Sequence, residues 1–193
     1  MATNLTHSKK GQSGFALLLT LIVVSVLVAI GLTVLDLSIK QIRLSTNAKE
    51  SESAFHAANA GVECARYWRR VASSTMETGA AISPLCFSVV PTTNTKADID
   101  DGVSGAGEVY LYNYSFSWGV NKPRCTKVST MVVAANSTTT VSNMKDYFAG
   151  YPEDDKVCSA GERCTVLSVR GYNRACTSAS GYGSVEREVL LQF

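Results

Sequence analysis

An uncharged apolar run near the start of the chain gives way to a helical alternation of small and polar residues. No charged residue occurs from Phe15 to Leu35, about 21 positions, which as an α-helix span ~32 Å, the thickness of a bilayer core. Small and apolar residues then recur at steps of three and four at Ala54, Ala58, Val62, Ala65 and Trp68. The pattern predicts one helix from about Phe15 to about Val71, membrane-spanning over 15–35 and amphipathic over 36–71.

The hydrophobic period changes to two after the predicted helix. Between Glu108 and Val120 every second residue is aromatic, at Tyr110, Tyr112, Tyr114, Phe116 and Trp118. Side chains two apart share one face of a strand, so the pattern predicts a strand with an aromatic face. We expect this face to lie in the core, against the helix positions whose small side chains leave room for rings: Ala58, Val62 and Ala65.

Further strands are predicted at Lys127–Ala135, Thr165–Arg170 and Val185–Phe193. In the last of these, Val185, Val189, Leu191 and Phe193 alternate inward and Arg187 interrupts the set. The segments Thr92–Gly107 and Asn136–Gly161 are predicted to be loops. Strands that follow one another after a helix predict an α+β fold, a long N-terminal helix packed on a small antiparallel sheet in a head domain over 72–193.

Charge and composition argue against two broad functions. The chain has 18 Lys and Arg against 16 Asp and Glu, so nothing indicates electrostatic capture of nucleic acid. Only two histidines are present, and we interpret His56 as an ordinary helix residue. No nucleotide-binding loop, nucleophile elbow or H-E-x-x-H motif occurs. The sequence therefore predicts a protein that is not an enzyme and has no catalytic residues.

All six cysteines follow the apolar run, at Cys64, Cys86, Cys125, Cys158, Cys164 and Cys176. An even number indicates an oxidising compartment and up to three disulfides, although six cysteines allow 15 pairings. A zinc site is disfavoured because no C-x-x-C pair is present. Basic residues flank the apolar run on both sides and leave its orientation open, so it is the cysteines that place the C-terminal part outside the cytoplasm.

Two acidic clusters are weak candidates for binding calcium, and the first faintly resembles a calcium loop. Asp98, Asp100 and Asp101 precede Gly102, but no glutamate stands at the twelfth position that a calcium loop requires. The second cluster consists of Glu153, Asp154 and Asp155. Solvated turns are the alternative for both, and no other metal or cofactor is predicted.

The residues around Gly14 resemble the processing site of type IV pilins. Lys9 and Lys10 precede a glycine that is followed by Phe15 and the apolar run, which matches the short basic leader of a prepilin. The resemblance implies a leader over 1–14, cleavage after Gly14 on the cytoplasmic side by prepilin peptidase, and methylation of the new amine of Phe15. It also implies the pilin fold.

A second stretch narrows the resemblance. Residues 54–63, AFHAANAGVE, are similar to the N-terminal region of PilX-type minor pilins. The chain departs from most pilins at the fifth mature position, where Leu19 replaces a glutamate that is thought to pair with a neighbour's N-terminal amine. A carboxylate buried without a partner is costly. The leucine therefore suits a subunit at the tip, with no neighbour on that side.

The resemblance implies a minor pilin, a tip or priming subunit that takes part in pilus assembly and thereby in adhesion, motility or DNA uptake. Its partners would be other pilin subunits through the N-terminal helix, prepilin peptidase and the inner-membrane assembly machinery. It would reside in the cytoplasmic membrane before assembly and afterwards in the pilus at the cell surface. A pseudopilin of a type II-like secretion system is one alternative, and a membrane-anchored adhesin or binding domain that is never assembled is another.

Two disulfide pairings are hypotheses at this point. Cys158 and Cys164 would close a short loop, as pilins often do in their late region. Cys64 with Cys86 would pin the end of the helix to the head domain.

Overall fold

A computed structural model of the protein describes residues 13–121 and 123–193. The chain divides into two compact units, of which the first ends at Asn47 and the second comprises Ala48–Phe193. Helix α1, Ser13–Val71, contributes residues to both units, and all other elements belong to the second. The predicted helix is therefore confirmed at both ends to within two residues.

Helix α1 ends where the sequence supplies suitable terminal residues. Arg69 and Arg70 lie in its last turn, where cationic side chains interact favourably with the negative end of the helix dipole. A short helix α2, Ser73–Glu77, follows after Ala72. The hydrophobic pattern did not predict α2, because five residues are too few to show a helical period.

The main sheet has five strands, and every neighbouring pair is antiparallel. In their order across the sheet they are β1 (Thr93–Asp98), β3 (Glu108–Trp118), β4 (Arg124–Ala134), β7 (Arg163–Tyr172) and β8 (Glu186–Gln192). The last four match the four predicted strands. The α+β arrangement of a long helix packed on an antiparallel sheet is confirmed.

Both loop predictions are wrong in part. The segment 92–107 contains β1 and the two-residue strand β2, Val103–Ser104. The segment 136–161 contains β5, Thr139–Val141, helix α3, Met144–Tyr147, and β6, Lys156–Cys158. Strands β2, β5 and β6 form a second antiparallel sheet. Strand β1 was not predicted because all six of its side chains are exposed, and it therefore has no alternation of apolar and polar residues. Its strand geometry depends on backbone pairing with β3.

The face of the main sheet that contacts α1 carries the predicted aromatic stripe. Tyr114 and Phe116 pack in one cluster with Val62 and Ala65, as expected. Tyr110 and Tyr112 instead pack with Met76 of α2, with Ile82 after it and with Trp68 of α1. The Tyr112 hydroxyl donates to carbonyl oxygens there, 3.1 Å from that of Met76 and 3.0 Å from that of Ala80. The stripe thus packs on two helices.

A second core covers the opposite face of the main sheet. Val109, Met131, Val133 and Val166 are buried there together with Val141 of β5 and with side chains from α3 and the segment after it. The central strands are therefore buried on both faces, because the second sheet and α3 cover the side that α1 does not.

Helix α1 and the main sheet come into backbone contact distance at Gly171 of β7. A Cβ atom there would fall on the backbone of Ala54, Ala57 and Ala58, which are completely buried. In this approach Thr126 Oγ1 donates a 2.8 Å hydrogen bond to the carbonyl oxygen of Ala57. The small residues of the helix face and the glycine of the strand together allow this backbone contact.

Arg187, the residue that interrupts the inward set of β8, also contacts the helix. Its Nε and Nη2 donate to Ser51 Oγ at 2.8 and 2.6 Å. The polar interruption in the strand is thus matched by a polar residue in the helix. Val185 lies just before β8 and donates its backbone N–H to Asn173 Oδ1.

Candidate functional site

The first unit contains the apolar part of α1. Its most apolar window has a mean hydropathy of 3.0 and no buried residue. Three hydroxyl groups of the first unit donate to backbone carbonyls one turn earlier: Thr20 to Leu17, Ser25 to Ile22 and Thr33 to Ile30. Each of these hydroxyl groups thus has an acceptor within the helix itself. Among the described residues, α1 is the one helix long and apolar enough to span a membrane, and it lies near the N-terminus.

Gly14 and Phe15, the proposed processing site, lie in the first turn of α1, and the Phe15 side chain is exposed. The N–H groups of a first helical turn have no intrahelical acceptor, so this turn is held by fewer hydrogen bonds than a turn in the helix interior. Leu19 is exposed four residues after Phe15, on the same side of the helix. Residues 1–12 of the predicted leader lie outside the described part of the chain.

The second unit is cross-linked by three disulfides: Cys64–Cys86, Cys125–Cys176 and Cys158–Cys164. The first joins α1 to the segment between α2 and β1, and the third joins β6 to the start of β7. These are the two pairings proposed from the sequence. The remaining bond joins the start of β4 to the 3-10 helix Cys176–Ser178, and no cysteine is free.

The acidic clusters are not assembled into a metal site. Asp98 forms an ion pair with Lys96, and Asp154 lies 3.7 Å from the amine of Lys145. Within 13–121 and 123–193 there is no group of three His, Cys, Asp or Glu side chains that could hold a metal ion.

A cluster of arginines, which sequence reasoning missed, surrounds the end of α1. Arg69 is only 6% exposed, and its guanidinium donates three hydrogen bonds: to Thr165 Oγ1 at 2.8 Å, Ser73 Oγ at 2.9 Å and Glu77 Oε1 at 2.8 Å. Arg163 Nε lies 3.8 Å from the same carboxylate. Buried charges are tolerated when they are paired in this way, so Arg69 ties α1 to α2 and to β7.

The pKa of the Glu77 carboxyl group is shifted by these neighbours. Burial alone raises its pKa, but hydrogen bonds from Arg69 and Ser73 and the charges of Arg69 and Arg163 outweigh burial. The pKa of Glu77 is therefore below its ordinary value, and the carboxylate stays ionised to lower pH.

A cavity of about 510 Å³ opens beside this cluster. Its lining includes four arginines and two apolar residues at the end of β8: Arg66, Arg69, Arg70, Arg163, Leu191 and Phe193. We call this cavity the arginine pocket. The spacing of Arg66, Arg69 and Arg70, at i, i+3 and i+4 of a predicted helix, is a signal visible in the sequence. Nothing in the sequence indicates that Arg163 joins these three arginines. It lies about 95 residues away in the chain and comes to the pocket because β7 packs beside the end of α1.

No protein-family model, curated protein or solved structure matches the chain significantly.

Proposed function

We propose that this protein is a minor type IV pilin, a tip or priming subunit that prepilin peptidase cleaves after Gly14 and that then joins a pilus. The observation that carries the proposal is the combination of the KKGQSGF leader motif with the helix that follows it. Helix α1 is apolar and exposed at its start and covered by an antiparallel sheet at its end. A helix of this kind serves first as a membrane anchor and afterwards as a packing surface for other subunits.

The exposed apolar surface of α1 supports an assembly role. The large side chains from Leu17 to Leu35 are between about half and two-thirds exposed within the protein itself. Lipid covers such a surface in the cytoplasmic membrane, and the corresponding helices of neighbouring subunits would cover it in a filament. Exchange between these two environments is nearly balanced because lipid tails and leucine side chains are similarly apolar.

The absence of an acid at position 19 supports a place at the tip. By the resemblance to pilins, a glutamate there would pair with the N-terminal amine of a neighbouring subunit, and a tip subunit has no neighbour on that side. Leu19 offers no partner for such an amine. Immunogold labelling of filaments should place the wild-type protein at their ends. Even labelling along the filaments would exclude the tip position.

The disulfides support a head domain that works outside the cytoplasm. They connect α1, both sheets and the segment after β7, so the head keeps its shape in an oxidising environment. Adhesion, motility and DNA uptake are the pilus activities to which such a head would contribute.

N-terminal sequencing and intact-mass measurement of the protein purified from its native membrane test the proposal. We expect a mature chain that begins at Phe15 and carries a methyl group on its amine. A Gly14→Val variant should keep its leader, because the added branched side chain prevents close approach to the protease. Gly11→Val, the same change at the other leader glycine, should be processed normally. A wild-type protein that still begins at Met1 would refute the pilin proposal and leave the anchored binding domain.

A further inference from the structure

The arginine pocket has the charge and shape of a ligand site. We propose that it binds an organic anion with a carboxylate or phosphate head and a compact apolar group. The proposal concerns the second unit alone, and its truth does not depend on cleavage or filament assembly.

The cationic side of the pocket is only partly neutralised by the protein. Arg69 directs three of its five guanidinium N–H groups to Thr165, Ser73 and Glu77, and these bonds fix its position in the pocket lining. Arg70 is exposed and makes no hydrogen bond or ion pair to any residue the structure describes. Within that same part of the chain, only two carboxylates, Glu63 and Glu77, lie within 4 Å of the four arginines. Positive charge is thus left over at the cavity.

The available donors suit an anion with two or three oxygens. Arg66 lies 3.9 Å from Glu63 and Arg163 lies 3.8 Å from Glu77, and both arginines are more than half exposed. Long pairs that involve an exposed arginine are weak, so a ligand can recruit these guanidinium groups. Guanidinium groups match carboxylates and phosphates with paired hydrogen bonds.

Part of the pocket lining is apolar. Leu191 is half-buried and Phe193 is exposed at the end of β8, and both line the cavity. The backbone of Phe193 exchanges two hydrogen bonds with Thr165, at 2.7 and 3.1 Å, which holds this part of the lining beside β7. An apolar group on the ligand would cover these side chains while its head meets the arginines. The volume is in the range of pockets that hold small organic ligands.

The test uses the full chain in uncharged maltoside micelles, with phenyl phosphate, 3-phenylpropionate, inorganic phosphate and benzyl alcohol as separate probes. Calorimetric titration should give saturable binding of phenyl phosphate or 3-phenylpropionate, and the tighter of the two identifies the preferred head group. Inorganic phosphate should bind about tenfold more weakly than phenyl phosphate, because it cannot cover Leu191 and Phe193. Benzyl alcohol, which lacks a charge, should show no binding beyond that of empty micelles.

Variants locate the binding. Arg70→Gln and Arg163→Gln should each weaken binding of the tighter probe roughly fivefold. Arg174→Gln is the matched control, because Arg174 is an exposed arginine beyond the opposite end of β7 from Arg163. It should change binding less than about twofold. The proposal is overturned if neither aromatic anion saturates up to about 10 mM, if benzyl alcohol binds as well as the anions, or if Arg174→Gln has the same effect as Arg70→Gln.

Discussion

The contact between Gly171 of β7 and helix α1 leaves no room for a side chain, and Gly171→Ala tests it. The added methyl group would meet three backbone atoms, the Ala54 oxygen, the Ala57 carbonyl carbon and the Ala58 nitrogen. No side-chain rotation can move these atoms away. The helix must therefore shift from the sheet, which also weakens the packing of Val62 and Ala65 on the aromatic stripe.

Overpacking of a buried site generally costs 1–3 kcal/mol, and a clash with backbone belongs at the upper end, so we expect Gly171→Ala to lower the free energy of unfolding by about 3 kcal/mol. With a urea dependence of about 2 kcal/mol per molar, the unfolding midpoint falls by about 1.5 M. Gly61→Ala tests the same helix–sheet contact from the side of α1. Its methyl group meets side-chain methyls of Thr126 and Val169, and alanine favours a helix by about 1 kcal/mol over glycine, so its loss should be smaller.

The assay is urea unfolding of the full chain in micelles with its disulfides intact, followed by tryptophan fluorescence. Gly150→Ala is the control, because a Cβ there meets only the carboxylate end of the Glu188 side chain, at 3.1 Å, and that side chain can move. Its midpoint should stay within about 0.3 M urea of wild type. The reasoning fails if Gly171→Ala unfolds at the same urea concentration as Gly150→Ala, because the helix would then not lie so close to β7.

Two further predictions concern the covalent and ionic links of the head. Replacing both cysteines of a disulfide by alanine should lower the free energy of unfolding by about 4 kcal/mol for Cys125–Cys176, about 3 for Cys64–Cys86 and about 2 for Cys158–Cys164. The order follows the lengths of the closed loops, which span 51, 22 and 6 residues. Urea midpoints that do not follow this order would contradict the loop-entropy explanation. The lowered pKa of Glu77 stabilises the fold fully above its unfolded value of 4.5, and this stabilisation is lost as the pH falls through the lower folded value. Glu77→Gln should therefore lower the melting temperature at pH 6 and flatten its dependence on pH below 4.5, and a variant with an unchanged acid limb in its melting curve would exclude this role.

The sequence predicted elements whose side chains carry a strong period. The aromatic alternation located β3 to within two residues, and the gap in charges followed by small residues at helical steps located α1. In both cases one face of the element must be apolar or small in order to be buried, so the period of such residues in the sequence predicts the element. Strands β5 and β6 have three residues each and β2 has two, which is too short for any period to be visible.

Two of the three disulfides could be proposed from the sequence, and the third depends on the fold. Cys158–Cys164 is close in sequence, and Cys64–Cys86 joins the end of a predicted helix to the next cysteine. The partners Cys125 and Cys176 follow by elimination only once those two are accepted. Their meeting depends on β4 lying beside β7, which brings Cys125 opposite Tyr172.

The sequence by itself determined a membrane-length helix continuous with an amphipathic one, the face that β3 presents to it, an even set of cysteines and a leader-like motif before Phe15. Each of these features depends on residues that are close together in the sequence, so their spacing and composition are sufficient to predict it. The tertiary structure alone decided the exposed strand β1, the second sheet, the backbone contact at Gly171 and the meeting of Arg163 with the arginines of α1. Those features depend on strand pairing and on side chains about 95 residues apart, and no local pattern encodes such contacts.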